Sequence, residues 1–257
     1  MGAASIAARD ARARADVYGF LAGVFSSHPT HESVQALRRM ADSLGMGCPE
    51  PSSLGELDQE YMDLFIVPTP RYVAPYESVF RDELSLPPVL PRRSNPAETG
   101  TKIKGLLMGE STLQVRQAYL QAGVLPEEGL PDHIANELRF MAYLWTREAE
   151  EEGEAPPLAV LRQRFRQDHL LQWIGPLRER VAERDRIGFY RAALEATEAV
   201  LQDDTGGGGA QEEEVIPLLP PVGATQMSLP NQCGPRGCPF SGMGVGGHSG
   251  RREASGS

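Results

Sequence analysis

The chain has 257 residues, of which 40% are hydrophobic and 23% charged, and a formal net charge of −10. That length suits one large domain or a domain with an appendage, and the acidity excludes the basic footprint a nucleic-acid binder needs. No apolar run reaches the length of a membrane span or of a secretory signal core, so the expectation is a cytoplasmic protein without a membrane span. Three cysteines (Cys48, Cys233, Cys238) are too few for a disulfide framework in a chain of this size.

The predicted elements are helices. From Asp16 to Phe25, Val17, Phe20, Leu21, Val24 and Phe25 make one apolar stripe. Thr30 is placed to cap a second helix, with Val34, Leu37 and Met40 inside it and Gly45 as its stop. Ser53-Leu54-Gly55-Glu56 fits a capping box and opens a third helix, which buries Leu54, Leu57, Tyr61, Leu64 and Phe65.

Prolines 68, 70, 75, 87, 88, 91 and 96 then break helical continuation. The segment reads as a structured loop with one short helix near Glu77 to Arg81, and helix is expected to restart at Asn95-Pro96. Glu110 to Ala122 follows, stopped by Gly123. A helix from Asp132 to about Glu152 carries Ile134, Leu138, Met141 and Trp145 at spacings of three and four. Asp132 is suited to be its N-cap, and His133 and Glu137 stand one turn apart on a neighbouring face. The acidic run Glu148 to Glu154 reads as a solvated helix end. Leu158 to Trp173 and Leu177 to Leu201 complete an all-α, single-domain body spanning residues 1–205, with no alternating strand pattern.

Composition changes at Gly206 to Gly209. Residues 206–257 are rich in Gly, Pro and Ser and too poor in apolar surface to offset the entropy of ordering, so they are expected to form a disordered tail. The tail holds Cys233-Gly-Pro-Arg-Gly-Cys238 with His248 beyond, an incomplete soft-metal or redox set, and one apolar stretch, Val215 to Val222.

Chemistry-bearing motifs are scarce in the body. There is no phosphate-binding Gly-x-x-x-x-Gly-Lys-Ser/Thr loop, and the only lysines are Lys102 and Lys104. No Gly-x-Ser-x-Gly elbow nominates a nucleophile. Glu60 with Asp63, and His133 with Glu137, would permit a bundle-core metal site, but the Glu-x-x-His pairs of di-metal bundles are absent. His169 and Trp173, one turn apart, read as packing residues. Asp132 or Glu77 could receive an arginine through two hydrogen bonds.

Three segments carry a family resemblance. Pro131-Asp132-His133-Ile134 with Glu137-Leu138-Arg139-Phe140-Met141 resembles the Pro-Asp-His signature of the TorD/DmsD-type redox-enzyme maturation chaperones. Glu60-Tyr61-Met62-Asp63-Leu64-Phe65 followed by Pro75-Tyr76-Glu77-Ser78 resembles that family's Glu-Tyr-x-x-Leu-Phe and Pro-Tyr-Glu-Ser block. His169-Leu170-Leu171-Gln172-Trp173 and Phe189-Tyr190 resemble its closing elements. The segments occur in the family's order and together cover residues 10 to 204. Two departures stand out: Ile66-Val67-Pro68 replaces the Gly-Pro common after Leu-Phe, and Gly129-Leu130 stands where an acid usually precedes Pro-Asp-His.

The resemblance implies a non-enzymatic helical chaperone, monomeric or homodimeric, with no cofactor of its own. It implies as partner the apo catalytic subunit of a molybdenum oxidoreductase, held at its twin-arginine signal or nearby until molybdenum cofactor is inserted, with export delayed meanwhile. Peptide-binding candidates on the matching positions are Tyr61, Phe65, Pro75, Tyr76, Glu77, Ser78, Asp132, His133 and Glu137. The competing expectations are a carboxylate/histidine metalloenzyme and an adaptor acting through Cys233, Cys238 and His248.

Overall fold

The computed structural model describes residues 3–86, 101–150, 156–204 and 225–226, and those residues are mostly helical. The helices are α1 (Ala3–Ser26), α2 (His31–Ser43), α3 (Leu54–Tyr61), α4 (Glu77–Arg81), α5 (Glu110–Gln121), α6 (Ile134–Glu150), α7 (Pro156–Phe165), α8 (Leu171–Ala182) and α9 (Phe189–Asp203). Single π-helical turns extend α3 (Met62–Ile66) and join α7 to α8 (Arg166–Leu170). Both overlap the family-like segments, and π turns of this kind often mark functional positions.

Apolar stripes set the packing. Tyr18, Leu21 and Phe25 of α1 bury against α6, which contributes Ile134, Leu138, Met141 and Leu144. Trp173 and Leu177 of α8 meet Phe189, Tyr190 and Leu194 of α9 in the same core. Each such side chain, taken fully out of water, contributes about 1.5–3 kcal/mol before the entropy of ordering is subtracted.

Caps follow the sequence signals at two helices. Thr30 Oγ1 accepts from Ser33 N at 3.1 Å while Ser33 Oγ accepts from Thr30 N at 2.9 Å, closing the box on α2. Ser53 Oγ accepts from Glu56 N at 3.1 Å on α3. Helix α1 begins at Ala3, well before the expected Asp16, because its alanine-rich lead is strongly helix-forming.

The proline-rich segment differs from expectation. Glu83–Leu86 (β1) pairs antiparallel with Thr101–Lys104 (β2), so residues 101–104 are extended where a restarted helix was anticipated. Thr-Lys-Ile-Lys does alternate, but four residues are too short a run to read as a strand. Pairing supplies the rest, including ion pairs from Lys102 (2.6 Å) and Lys104 (3.6 Å) to Glu83. The restart itself, at Asn95-Pro96, lies outside the described residues. Val124–Leu125 (β3) pairs in parallel with Thr225–Gln226 (β4), the described part of the tail. Cys233, Cys238 and His248 also lie outside the described residues.

Two ion networks fasten the loops and the end of the body. Arg71 donates to Arg184 O through Nε (3.1 Å) and Nη2 (2.9 Å), to Asp63 through Nη1 (3.1 Å), and to Glu60. Glu60 and Asp63 thus hold an arginine. Asp204, fully buried past the end of α9, accepts from Tyr18 Oη (2.7 Å), Trp145 Nε1 (3.1 Å) and Arg162 Nη1 (2.8 Å). Arg162 also pairs with Glu148 at 2.6 Å and stacks on Trp145, its guanidinium carbon 3.5 Å from the ring centre. Glu148 is therefore turned inward rather than left as part of a solvated run.

Candidate functional site

The Pro-Tyr-Glu-Ser segment and the Asp-His segment lie against each other. Glu77 N donates to Asp132 O at 2.9 Å, and Ile134 N donates to Pro75 O at 3.0 Å, a single antiparallel bridge between Tyr76 and His133. The two rings above the bridge sit edge to face with centroids 5.0 Å apart. Asp132 lends its carboxylate to the opposite segment: Oδ2 accepts from Ser78 N at 3.1 Å. It therefore caps the first turn of α4 and not its own helix. The ring of His133 takes that place at α6, with Nδ1 accepting from Ala135 N at 3.1 Å. An imidazole nitrogen two residues before an orphan amide satisfies it as an Asx side chain would.

That bond requires an unprotonated Nδ1. Burial, followed by the nearby Arg139 guanidinium, lowers the His133 pKa to about 4 against the opposing pull of Asp132. His133 is neutral at physiological pH.

Beneath the bridge lies a buried carboxylate group. Glu77, Asp132 and Glu137 are each 0% exposed. Glu77 accepts from His169 Nδ1 at 2.9 and 3.1 Å and from Arg81. Glu137 Oε2 accepts from Trp173 Nε1 at 3.1 Å. Burial first, and the negative field of Glu77 second, push the Glu137 pKa well above the usual carboxylate range. Glu137 is thus held toward its protonated form, and its Oε1 has no hydrogen-bond partner among the described residues.

The other candidates divide between core and rim. Tyr61 and Phe65 are buried among Phe25 and Tyr190, with ring centres 5.2–6.1 Å apart. Pro75 and Ser78 are buried as well, so of the nine only Tyr76 and His133 reach the surface. Sequence reasoning took His169 and Trp173 as packing residues. They are buried, and their polar atoms also tie α8 and the π turn before it to Glu77 and Glu137. Arg81 was missed, although its i,i+4 spacing from Glu77 on a short helix was the available signal. Asp204 was missed because nothing local marks a helix-terminal aspartate as buried.

Beyond α4, strand β1, the residues after β2 and the first turn of α5 expose Leu84, Leu86, Leu106, Leu107, Met108 and Leu113, with Met108 at 70% exposure. Among the described residues no helix is long and apolar enough to cross a membrane, and no cluster of three or more His, Cys, Asp or Glu residues could hold a metal ion.

Two motif segments are thus zipped over a buried, hydrogen-bonded acid group in a helical bundle. The family model described as nitrate reductase delta subunit matches residues 27–179. Chaperone protein TorD of Vibrio cholerae serotype O1 is 29% identical over 199 residues, 74% of this chain and 78% of that protein. Chaperone protein TorD of Vibrio vulnificus is 25% identical over 195 residues, 74% and 80% of the two chains. That of Shewanella pealeana is 28% identical over 155 residues, 59% and 60%. The chain belongs to the TorD/DmsD chaperone family, a family of chaperones and not of catalytic enzymes.

Proposed function

We propose that this chaperone serves a molybdenum oxidoreductase in the cytoplasm. It binds the apo catalytic subunit at its twin-arginine signal or a nearby region and delays export until molybdenum cofactor is inserted. The observation that carries the reading is the Tyr76–His133 bridge, where the two segments most like the family's motifs meet at the surface. Acid groups lie directly behind the bridge, and the apolar hairpin begins at Glu83, two residues past α4. This arrangement suits a segment with arginines followed by apolar residues. The arginines meet carboxylates, the apolar part lies on Leu84, Leu86 and Leu107, and the acidic body attracts the cationic end. Residues 1–205 would form the chaperone domain and act as a monomer or homodimer.

The test is co-purification of the full chain with a molybdoenzyme catalytic subunit made in a host that cannot synthesise molybdenum cofactor. The subunit should be retained in its metal-free form and released after cofactor loading. Tyr76→Ala and His133→Ala should reduce recovery at least tenfold while the thermal midpoint moves by only a few degrees. Failure to retain the apo subunit would refute the proposal.

A further inference from the structure

Three arginines in this fold are held in different ways. Arg71 uses Nε, Nη1 and Nη2, and so does Arg162, each against carboxylates or backbone carbonyls. Both are fixed parts of the body. Arg81 is different. Among the described residues its hydrogen bonds come from Nη1 alone, to Glu77 Oε1 and to the Asp168 carbonyl at 2.6 Å. Among those residues Nε and Nη2 have no partner, so a side chain able to grip a carboxylate with two prongs makes an end-on contact with Glu77.

Glu77 is 0% exposed, whereas the Arg81 side chain is 29% exposed. Arg81 therefore links a buried acid to the protein surface. Behind that acid, His169 occupies one side, and the Phe80–Trp173 ring pair, 5.7 Å between centres, lies beside it. The Arg81 contact joins a five-residue helix, α4, to the π turn that carries Asp168.

We propose that Glu77 and the Asp168 carbonyl form a guanidinium subsite, which Arg81 fills in the free chaperone and yields to an arginine of the client. The second half of this statement rests on the function proposed above; the first half does not. An incoming arginine brings Nε and both Nη groups to the Glu77 carboxylate and the Asp168 carbonyl, where Arg81, tethered one turn away on the same helix, brings Nη1. Arg81 thus acts as an internal competitor that sets how tightly a client arginine is held. It also prevents the buried acid from being left without a cation when no client is present.

The experiment uses the full-length Arg81→Ala protein and ethylguanidinium as the probe. Emptying the subsite lowers the thermal midpoint, and millimolar ethylguanidinium restores it along a saturating curve. Ethylammonium, with no planar fork, restores less than a third of the loss, and the wild-type midpoint does not respond. Adding Glu77→Gln abolishes the rescue. Arg81→Gln, which preserves side-chain length and surface polarity, provides the same assay if the alanine variant does not fold. In the second arm, a fluorescent peptide bearing two consecutive arginines binds Arg81→Ala about tenfold tighter than wild type, and a two-lysine version shows no gain.

Absence of a saturating response, or equal rescue by ethylammonium, overturns the subsite. A saturating response with unchanged peptide affinity overturns the exchange. Loss of the co-purification described above, with ethylguanidinium rescue intact, would refute the client reading and leave the subsite standing.

Discussion

Glu137 and His133 stand one turn apart and are both held neutral by burial, with opposite consequences for stability. For Glu137 the folded pKa lies above the ordinary 4.5, so the folded chain keeps a proton that the unfolded chain releases. Its contribution is fully present below that value and is lost as pH rises toward the folded pKa. Glu137→Gln keeps an acceptor for Trp173 and removes the titration. Thermal melts should place this variant at or above wild type at pH 8, with the advantage shrinking toward pH 5; a uniformly lower midpoint would mean that Glu137 works as an anion. For His133 the folded pKa of about 4 lies below the ordinary 6.5, so the unfolded chain takes up a proton that the folded chain refuses. Stability from this residue is lost as pH falls through that window, by about 2 kcal/mol between pH 7 and 5. His133→Asn, which retains an acceptor for the Ala135 amide, should flatten that acid limb in urea denaturation at the two pH values.

Two helices of this bundle are capped by side chains from other segments, and α9 by a residue of the loop that leads into it. Asp132 caps α4. Asp82 caps α5, its carboxylate accepting from Ser111 N at 3.0 Å and Ser111 Oγ at 2.6 Å. Asp185 caps α9 through Gly188 N and Arg191 N, both at bonds of 2.7–2.8 Å, with Gly188 at φ 84° turning the chain into the helix. Gly109 shows how closely such a cap is fitted, because a Cβ there would lie 2.0 Å from Asp82 Oδ2. Gly109→Ala must therefore push Asp82 off Ser111, and should cost about 1–2 kcal/mol, the usual loss for a helix cap. Equilibrium urea unfolding measures it. Asp82→Ala in the same background should add little more, since the cap is already gone; full additivity would show that the alanine acts elsewhere.

Across the whole molecule, Asp204 is the junction. It draws Tyr18 of α1, Trp145 of α6 and Arg162 of α7 onto the end of α9. Burial, and then the Asp204 charge, push the Tyr18 hydroxyl far above its ordinary range, so it remains a donor at every working pH. Asp204→Ala would leave Arg162 buried with Glu148 as its remaining carboxylate. The expected loss is about 3–5 kcal/mol, read as a drop in the urea midpoint without a change in slope. A chain ending at Thr205 should keep its full stability, whereas one ending at Leu201 should not. Equal stability of the two would move the domain boundary inward.

The helical bundle was legible because its stripes are local. Ile134, Leu138, Met141 and Trp145 declare a buried face through spacing alone, and Thr30 and Ser53 declare helix starts through side chains that reach only three residues. The motif positions were legible for the same reason, as short strings. Their roles were not. That Asp132 serves α4 and His133 serves α6, that Glu77 faces His169 from 92 positions away, and that Arg81 rather than solvent covers Glu77 all depend on contacts between distant segments. Sequence by itself determined which residues are apolar, which can cap and which can ionise. Tertiary structure decided which of them meet, because burial and pairing are set by the neighbours the fold supplies and not by the residues beside them in the chain.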